Sequence, residues 1–166
     1  MAKNRYNGLL KKWNTDIVLV TANDPLKVYV AHELRNVLWS KKHNQVLEIW
    51  CGEGELTKHL LAYTKNTTID ALDPSRSMLN ACKKHLWTDR LSYLYGDITT
   101  FPLQSWYNAI VASQVIHNFV QDDKALTFQR IFDLLKPGWA FIMTDKVYPD
   151  YSLLRESMFE VQMRRY

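Results

Sequence analysis

Residues 46–55 read VLEIWCGEGE, and this stretch decides the fold. Its first five residues form an apolar run with a single acid, bounded by polar residues before and by glycine after. A run of this length and composition predicts a short, buried β-strand. Gly52 and Gly54 follow and lead into residues 55–64, whose apolar positions have helical spacing. Glycine lets a ligand approach the backbone and the helix N-terminus offers unpaired N–H groups, so this unit is typical of a binding site.

Strands and helices alternate along the chain on both sides of this stretch. Upstream, Pro25 suits the first turn of a helix that is predicted to continue to Trp39. The other predicted elements are an amphipathic piece at 6–13, strands at 67–73, 91–95, 108–113 and 140–145, and helices at 75–86, 122–135 and 153–165. Strands that alternate with helices require right-handed crossovers and a mostly parallel sheet covered on both faces. The predicted fold class is therefore α/β, doubly wound.

Length and composition exclude several classes of protein. The chain has 166 residues, of which 47% are hydrophobic and 23% charged, which predicts one globular domain and excludes a disordered chain. We expect residues 1–44 to form a helical segment that packs on a core made by residues 45–166. No apolar run approaches the roughly 18 residues of a membrane span, and the N-terminus lacks the pattern of a secretory signal. We therefore expect a cytoplasmic protein without membrane contacts.

Neither the cysteines nor the charges point to a metal site or to nucleic acid. Cys51 and Cys82 are the two cysteines, and neither lies in a metal-ligand spacing. A reduced compartment is the simplest interpretation of so few cysteines. The formal net charge of +4 is scattered along the chain rather than clustered. Nucleic acid is therefore not the expected partner.

Polar residues follow the predicted strands at the points where a doubly wound sheet binds its ligands. Asp73 ends the second predicted strand, where a carboxylate can accept both hydroxyls of a ribose. Asp97 follows the third strand, where it can accept a hydrogen bond from an exocyclic amine. Ser113, Gln114 and His117 follow the fourth strand and would overlook the same crevice. Each signal is weak alone, but their order along successive strands predicts one shared binding site.

Five ordered motifs resemble those of class I S-adenosylmethionine-dependent methyltransferases. They are VLEIWCGEGE (46–55), IDALDPSRSML (69–79), YGDI (95–98), YNAIVASQVIHNF (107–119) and LLKPGWAFIMTD (134–145). The resemblance implies strand order 3-2-1-4-5, with S-adenosyl-L-methionine as cofactor and S-adenosyl-L-homocysteine as product. It is strongest to small, free-standing bacterial enzymes that act on small molecules, and a related branch of the family modifies tRNA.

The resemblance also implies a set of site residues. The cofactor-binding set consists of Glu48, Trp50, Cys51, Gly52, Gly54, Asp73, Pro74, Met78, Gly96, Asp97, Ile98, Ser113 and Gln114. Within it, Asp73 is the ribose-binding acid, and Asp97 and Ile98 flank the adenine. Methyl transfer from a sulfonium needs mainly alignment of donor and acceptor, and a base only where the acceptor must lose a proton. His117 is the candidate for that base or for an acceptor-positioning group, with an ordinary surface or core histidine as the alternative.

Three features depart from the family pattern. Trp50 stands where the family has its first glycine, so its indole would either occupy the cofactor cleft or force the loop outward. Trp139 stands at the second glycine position after the Lys-Pro pair, where a positive φ would cost about 1–3 kcal/mol. The chain ends in the helix after the fifth strand, so the last two strands of the family pattern are missing and we expect strand 140–145 to be an open apolar edge. The favoured interpretation is a truncated form of the family's domain. A homodimer or another partner would cover that edge.

Three functions therefore stay open. The first is an active methyltransferase that acts on a small molecule, which the five motifs favour. The second is a methyltransferase fold that has lost catalysis or cofactor and serves as a partner-binding module, which Trp50 and Trp139 favour. The third is an RNA methyltransferase, which should show salt-dependent RNA binding and for which the modest net charge offers little support.

Overall fold

The structure is a computed structural model, and it describes residues 24–39, 42–102 and 106–145. Its helices are α1 (Asp24–Leu38), α2 (Glu55–Tyr63), α3 (Arg76–His85) and α4 (Gln121–Leu134), and its strands are β1 (Asn44–Ile49), β2 (Thr67–Asp73), β3 (Leu91–Tyr95), β4 (Tyr107–Ser113) and β5 (Leu135–Thr144). A 3₁₀ turn spans Ile116–Asn118. The helical pieces predicted at 6–13 and 153–165 lie outside the described residues and stay predictions.

The five strands form one parallel sheet in the order β3-β2-β1-β4-β5, as the sequence predicts. At the centre of the sheet, Ile49 of β1 is level with Leu72 of β2 and with Ala112 of β4. The carboxyl ends of these three strands therefore meet at one edge of the sheet. β1 is buried along almost its whole length, as expected for a central parallel strand that helices cover on both faces.

Successive side chains of β1 point to opposite faces of the sheet and divide the core into two clusters. Val46 belongs to the cluster that includes residues of α1, α2 and α3. Leu47 and Ile49 belong to the cluster that includes residues of α4. Because side chains alternate along a strand, Glu48 shares its face with Val46. Glu48 therefore points towards α1 and α2 rather than towards α4.

Helix α1 packs against α2, β4 and β5 through one face. The buried residues of this face recur at three- and four-residue spacing: Lys27, Val30, Ala31, Leu34 and Leu38. The end of α1 lies beside the amino ends of the strands, where Leu38, Asn44 and Thr67 line a cleft of about 550 Å³. That cleft is at the edge opposite the motif residues. With a rise of about 1.5 Å per residue, the first turns of α1 extend towards the carboxyl edge of the sheet.

Strand β5 begins at Leu135 rather than at the predicted residue 140, because residues 136–139 form a bulge within the strand. Tyr107 of β4 pairs with Leu135, whereas Ala109, two residues further along β4, pairs with Ala140. Extra residues on one strand of a pair bend that strand locally and increase its twist. The Lys-Pro-Gly segment therefore enters the sheet instead of forming a separate loop after α4.

The prediction that Trp139 is strained is wrong. In the bulge, it is Gly138 that has the positive φ, +81°. Among the described residues other than glycine, positive φ occurs at Trp50 and Gln114 and not at Trp139. Trp139 is partly buried and packs against the cluster beneath α1. A tryptophan is therefore accommodated here because the glycine before it takes the left-handed conformation.

The outer strand of the described sheet, β5, has apolar surroundings. Met143 on β5 is 40% exposed and Phe132 on α4 is 75% exposed. Phe128 and Phe141 form an edge-to-face pair beside them, with ring centroids 6.2 Å apart. Within the described residues the apolar edge is as predicted, while the homodimer or partner expected to cover it stays a prediction. None of the helices in the described part of the chain is long and apolar enough to cross a bilayer.

Candidate functional site

The loop that follows β1 is held to the sheet and contains two left-handed glycines. Cys51 N donates to the Leu72 carbonyl of β2 at 3.1 Å. Gly52 has φ +58° and Gly54 has φ +92°, which glycine adopts without steric penalty. A Cβ on Gly54 would lie 2.5 Å from the Cys82 sulfur, whereas a Cβ on Gly52 would meet nothing within 4 Å. Gly54 is therefore required by the packing of α3, and Gly52 borders open space.

Asp73, the last residue of β2, is buried and fixed by the neighbouring backbone. Its Oδ2 accepts a hydrogen bond from Gly52 N and its Oδ1 accepts one from Ser75 N, each 2.8 Å long. Burial raises the pKa of Asp73 to about 6, and the two N–H donors act against that rise. A carboxylate offers about four lone-pair sites, so both oxygens can accept one further hydrogen bond.

The turn after β3 lies beside Asp73. Gly96 N donates to the Asp73 carbonyl at 3.1 Å. A Cβ on Gly96 would overlap the ring of Phe101, so packing requires glycine at this position. Asp97 Oδ1 accepts hydrogen bonds from the N–H of Thr99 at 2.9 Å and from its hydroxyl at 2.7 Å. These two bonds orient the Asp97 carboxylate within the turn.

The remaining residues of this side lie at the start of α3 and behind the turn. Ser75 caps α3, because its Oγ accepts a hydrogen bond from Met78 N at 3.4 Å. Pro74 links Asp73 to this cap and is half-buried. Ile98 is fully buried. The apolar side chain of Ile98 thus forms part of the floor next to Asp97.

Two buried titratable groups lie under the loop after β1. Thr57 Oγ1 donates to Glu48 Oε2 at 2.6 Å. Burial raises the pKa of Glu48 to about 8, against the opposing effects of the Thr57 bond and the Lys27 charge, so this acid is protonated at neutral pH. A hydrogen bond with Cys82 and burial raise the pKa of the Cys51 thiol far above its usual range. Cys51 therefore stays a neutral thiol, which is a poor nucleophile.

The residues that follow β4 are tied to β5. Gln114 has φ +58°, and its N donates to the Thr144 carbonyl at 2.7 Å. Ser113 Oγ lies 3.1 Å from Thr144 Oγ1. Positive φ is uncommon outside glycine and marks a backbone that its surroundings constrain. Ser113 and Gln114 thus reach the same edge as the loop after β1, with contacts directed to the outer strand.

His117 and Asp145 form a pair that the sequence analysis missed. His117 Nδ1 contacts Asp145 Oδ1, and the backbone N of His117 donates to Oδ2 of the same carboxylate at 3.1 Å. The two side chains are 14% and 5% exposed. A carboxylate on Nδ1 orients the ring and leaves Nε2 as the other functional nitrogen. The available sequence signal was that Asp145 follows β5 just as His117 follows β4, so both stand at one edge of the sheet.

Trp50 lies between the loops that follow β1 and β4. Its ring packs edge-to-face on Phe119, with centroids 5.0 Å apart at 61°. Its φ of +53° is the left-handed conformation, which costs a residue with a Cβ roughly 1–2 kcal/mol. The loop is not forced off the sheet, because Cys51 N keeps its bond to Leu72. The indole instead joins the partly buried rim of the cluster on the α4 face.

At the carboxyl ends of β1, β2 and β3, the residues therefore divide into an open side around Gly52 and an enclosed side that packs against helices. Hydrogen bonds join Gly52, Asp73 and Gly96 directly, and Asp97 follows in the same turn. Glu48, beneath the loop, is bonded to Thr57 of α2, and Gly54, at the end of the loop, packs against Cys82 of α3. On the open side Gly52 borders free space, and Asp73 retains acceptor capacity.

A parallel sheet in the order 3-2-1-4-5, with a glycine loop after its central strand and acids after the next two, defines a Rossmann-like methyltransferase fold. The chain belongs to the methyltransferase domain family, whose model matches residues 46–138. The resemblance to class I S-adenosylmethionine-dependent methyltransferases is thereby confirmed.

Curated relatives are similar over most of this chain. It is 29% identical over 139 residues to a malonyl-[acyl-carrier protein] O-methyltransferase of Priestia megaterium, which covers 82% of this chain and 50% of the relative. It is 28% identical over 149 residues to an uncharacterized methyltransferase of Bacillus mycoides, which covers 87% of this chain and 69% of the relative. The chain thus spans half of the first relative and about two thirds of the second.

Solved structures show the same fold. The glycopeptide N-methyltransferase MtfA in complex with S-adenosyl-L-methionine aligns with TM-score 0.60 and 26% identity, over 68% of this chain and 51% of MtfA. A proposed S-adenosyl-L-methionine-dependent methyltransferase of Methanococcus maripaludis aligns with TM-score 0.68 and 24% identity, over 92% of this chain and 69% of that protein. The second likeness supports the fold alone.

Proposed function

We propose that this chain is an S-adenosylmethionine-dependent methyltransferase that acts on a small-molecule acceptor. Membership in the methyltransferase domain family supports it, as does the likeness to MtfA, which is solved with this cofactor. The observation that carries the proposal is the Asp73 carboxylate, buried at the end of β2 and bonded to Gly52 of the loop after β1. One acid thereby joins the two motifs that would hold the two ends of the cofactor.

In this proposal the residues divide between the two ends of the cofactor. Asp73 accepts the ribose hydroxyls, and Asp97 accepts the adenine amine with Ile98 beside the ring. Gly52 admits the methionine end, because its position has no Cβ and borders open space. When bound, S-adenosylmethionine supplies a methyl group on a sulfonium, which is a good leaving group. The protein then contributes mainly orientation, which is worth up to roughly 7–11 kcal/mol of the barrier.

His117 is the residue proposed to act on the acceptor. Asp145 holds its Nδ1 and its backbone N, so the ring has a defined orientation at the carboxyl edge. Where the acceptor must lose a proton, Nε2 would accept it, and Asp145 would stabilise the resulting imidazolium. Where the acceptor needs no deprotonation, the same ring would position it by a hydrogen bond. Asp145 is thus a positioning residue for His117.

The acceptor and the compartment belong to the proposal as well. The names of the relatives include an acyl-carrier protein methyltransferase and a glycopeptide methyltransferase, so the acceptors named among them differ. A scattered net charge of +4 favours a small molecule over nucleic acid. Both cysteines are free and buried, which suits the reducing cytoplasm.

Calorimetric titration with S-adenosyl-L-methionine and S-adenosyl-L-homocysteine tests the proposal. We expect dissociation constants in the micromolar range for both ligands, because the adenosine contacts are shared. A labelled methyl group should then pass from the cofactor to one fraction of a metabolite extract. No binding up to millimolar ligand would refute the proposal, and binding without a labelled product in any fraction would count against catalysis.

Trp50 favours a second candidate function, a partner-binding module that has lost its cofactor. Its indole takes space between the loops after β1 and β4, where the family has a glycine. Under this reading the wild type binds no cofactor, and Trp50→Gly gains micromolar binding. Trp139→Gly is the matched control, because it removes an indole from the β5 bulge and should gain nothing. Tight binding by the wild type rejects this candidate.

A further inference from the structure

The cleft beside the amino ends of the strands contains a buried side-chain oxygen without a hydrogen bond. Asn44 begins β1 and is 6% exposed. Its backbone N donates to the Asn66 carbonyl at 3.0 Å, and its own carbonyl accepts from Thr68 Oγ1 at 3.3 Å. Its side-chain Oδ1, in contrast, is bonded by no donor in residues 24–39, 42–102 or 106–145. A buried acceptor in this state is unfavourable, so Oδ1 marks a place for an additional donor.

The cleft is large enough for a small molecule and has an aromatic lining. Its volume is about 550 Å³, within the range of roughly 300–1,000 Å³ that is usual for ligand sites. Asn44 lines it together with Tyr63, the last residue of α2, and Trp39, which follows α1. Trp39 is 77% exposed, so the apolar surface of its indole is open to contact. A flat ring of this kind suits an aromatic ligand that stacks against it.

The charged side chains of the cleft are all basic. Arg35 and Lys65 line it, and both are exposed. The described residues that line the cleft include no aspartate or glutamate, and no carboxylate in the described part of the chain pairs with either cation. The Arg35 guanidinium carbon lies 5.9 Å from the centroid of the Trp39 ring. Positive charge therefore lies beside the aromatic surface, which favours an anionic group on the ligand.

The helix ends at the cleft do not cancel this charge. The carboxyl end of a helix carries a partial negative charge, and both α1 and α2 end here. At α2, Arg90 donates to the carbonyls of Leu61 at 3.0 Å and Thr64 at 2.6 Å, so these oxygens already have a cationic partner. At α1, Arg35 stands in the last turn, and its full charge exceeds the half charge of a helix end. The cleft thus keeps an excess of positive charge.

We propose that this cleft binds a planar aromatic molecule that carries an N–H donor and an anionic group, either phosphate or carboxylate. In this assignment the ring stacks on Trp39, the N–H group donates to Asn44 Oδ1, and the anion pairs with Arg35 and Lys65. The two ends of β1 are roughly 17 Å apart, at about 3.3 Å per residue. The site is therefore separate from the carboxyl edge and does not depend on the function proposed for that edge.

Two pairs of probes test the assignment by calorimetric titration. Guanosine 5′-monophosphate and 4-aminobenzoate carry the ring, the N–H donor and the anion, which is a phosphate in one and a carboxylate in the other. Guanosine and aniline are their uncharged counterparts. All four are titrated into the full chain at low salt, because screening weakens interactions between exposed charges.

The variants are Arg35→Gln, Lys65→Gln and Asn44→Leu. Lys58→Gln is the matched control, because Lys58 is exposed on α2 but does not line the cleft. Arg35→Gln and Lys65→Gln change exposed side chains, so folding should be unaffected. Asn44→Leu keeps both backbone hydrogen bonds of this position, and its thermal midpoint, followed by circular dichroism, checks that it folds.

We expect at least one of the two anions to bind the wild type, at least tenfold more tightly than its uncharged counterpart. The stronger anion identifies the anionic group. Arg35→Gln and Lys65→Gln should each reduce that preference at least threefold, whereas Asn44→Leu should weaken the anion and its counterpart alike. Lys58→Gln should match the wild type. Absence of binding at 5 mM of both anions, equal affinity for charged and uncharged probes, or affinities unchanged in all three cleft variants would overturn the proposal.

Discussion

The two sides of the carboxyl edge are built differently. On the β2–β3 side, backbone contacts fix the conformation of the site residues. Asp73 accepts a hydrogen bond from Gly52 N, and Gly96 packs against Phe101 where a Cβ would not fit. On the β4–β5 side, Gln114 has a left-handed backbone, β5 contains a bulge and its outer edge is apolar. The β2–β3 side is also the side on which the chain keeps the family pattern.

This difference has a chemical reason within the proposed function. A nucleoside is the same in every reaction of the family, so the groups that would hold it need one fixed geometry. An acceptor differs from enzyme to enzyme, and loops that vary on a rigid scaffold suit that task. The contrast predicts that changes on the two sides separate into effects on cofactor affinity and effects on turnover.

The largest effect is expected at His117. His117→Gln should lower turnover by about 10²–10⁴-fold where the acceptor must lose a proton, because general-base catalysis contributes that much. S-adenosyl-L-homocysteine affinity should change less than twofold. Turnover and calorimetric affinity are measured on the same preparations, with His85→Gln on the exposed end of α3 as the control. If His117→Gln lost S-adenosyl-L-homocysteine affinity to the same extent as turnover, the proposed separation of cofactor binding from acceptor chemistry would be wrong.

Asp73→Asn should weaken S-adenosyl-L-homocysteine binding by about 100-fold, because hydrogen bonds to a charged group contribute roughly 1.5–3 kcal/mol each. The amide can still accept one backbone N–H, so the fold should persist. Asp89→Asn, in the exposed loop before β3 at the opposite edge of the sheet, is the control and should bind normally. An unchanged affinity in Asp73→Asn would show that β2 does not hold the ribose.

The two glycines after β1 should respond differently to alanine, Gly54 mainly in stability and Gly52 mainly in cofactor affinity. Gly54→Ala places a Cβ 2.5 Å from the Cys82 sulfur and 2.8 Å from Leu86 Cδ1. We expect the free energy of unfolding to fall by about 2–3 kcal/mol, measured by urea denaturation. Gly52→Ala has free space around it, so its stability should fall by only about 1 kcal/mol while S-adenosyl-L-homocysteine affinity falls at least tenfold. Equal stability losses would contradict the packing argument.

Glu48, between the two sides, should make stability depend on pH. Its pKa is raised from the ordinary value of 4.5 to about 8 in the folded chain, so the folded state retains a proton that the unfolded state releases. The free energy of unfolding should therefore fall as pH rises from 6 to 8, by at most about 1.4 kcal/mol per pH unit. Glu48→Gln should flatten this slope. Urea denaturation at pH 6, 7 and 8 measures it, and an identical slope in both proteins would contradict the shift.

Hydrophobic patterning accounts for the part of the fold that was predicted. Strands at 67–73 and 91–95 match the structure to the residue, because apolar runs bounded by turn residues have few alternatives. The parallel order follows from the regular alternation with helices. The same logic placed Asp73 and Asp97 correctly at strand ends. Their roles in binding a cofactor stay predictions.

The missed features depend on contacts between distant residues. The bulge in β5 exists through pairing with Tyr107, and the His117–Asp145 pair exists because β4 and β5 are neighbours. No local signal marks the left-handed backbone at Gln114. Lys27 is different, since it shares the core spacing of α1 with Val30. The burial of this lysine could have been predicted from its position in the helical spacing.

The parallel sheet also sets the order in which the chain can fold during synthesis. In the sheet formed by residues 44–144 no two neighbouring strands form a hairpin, and the contact of Gln45 N with Asn108 Oδ1 joins residues 63 apart. Domains dominated by such distant contacts fold slowly. At a translation rate of about 5–20 residues per second, several seconds pass between the synthesis of the apolar β1 and the synthesis of its partner β4. During that interval one edge of the central strand is exposed, and the nascent chain is at its most vulnerable to aggregation.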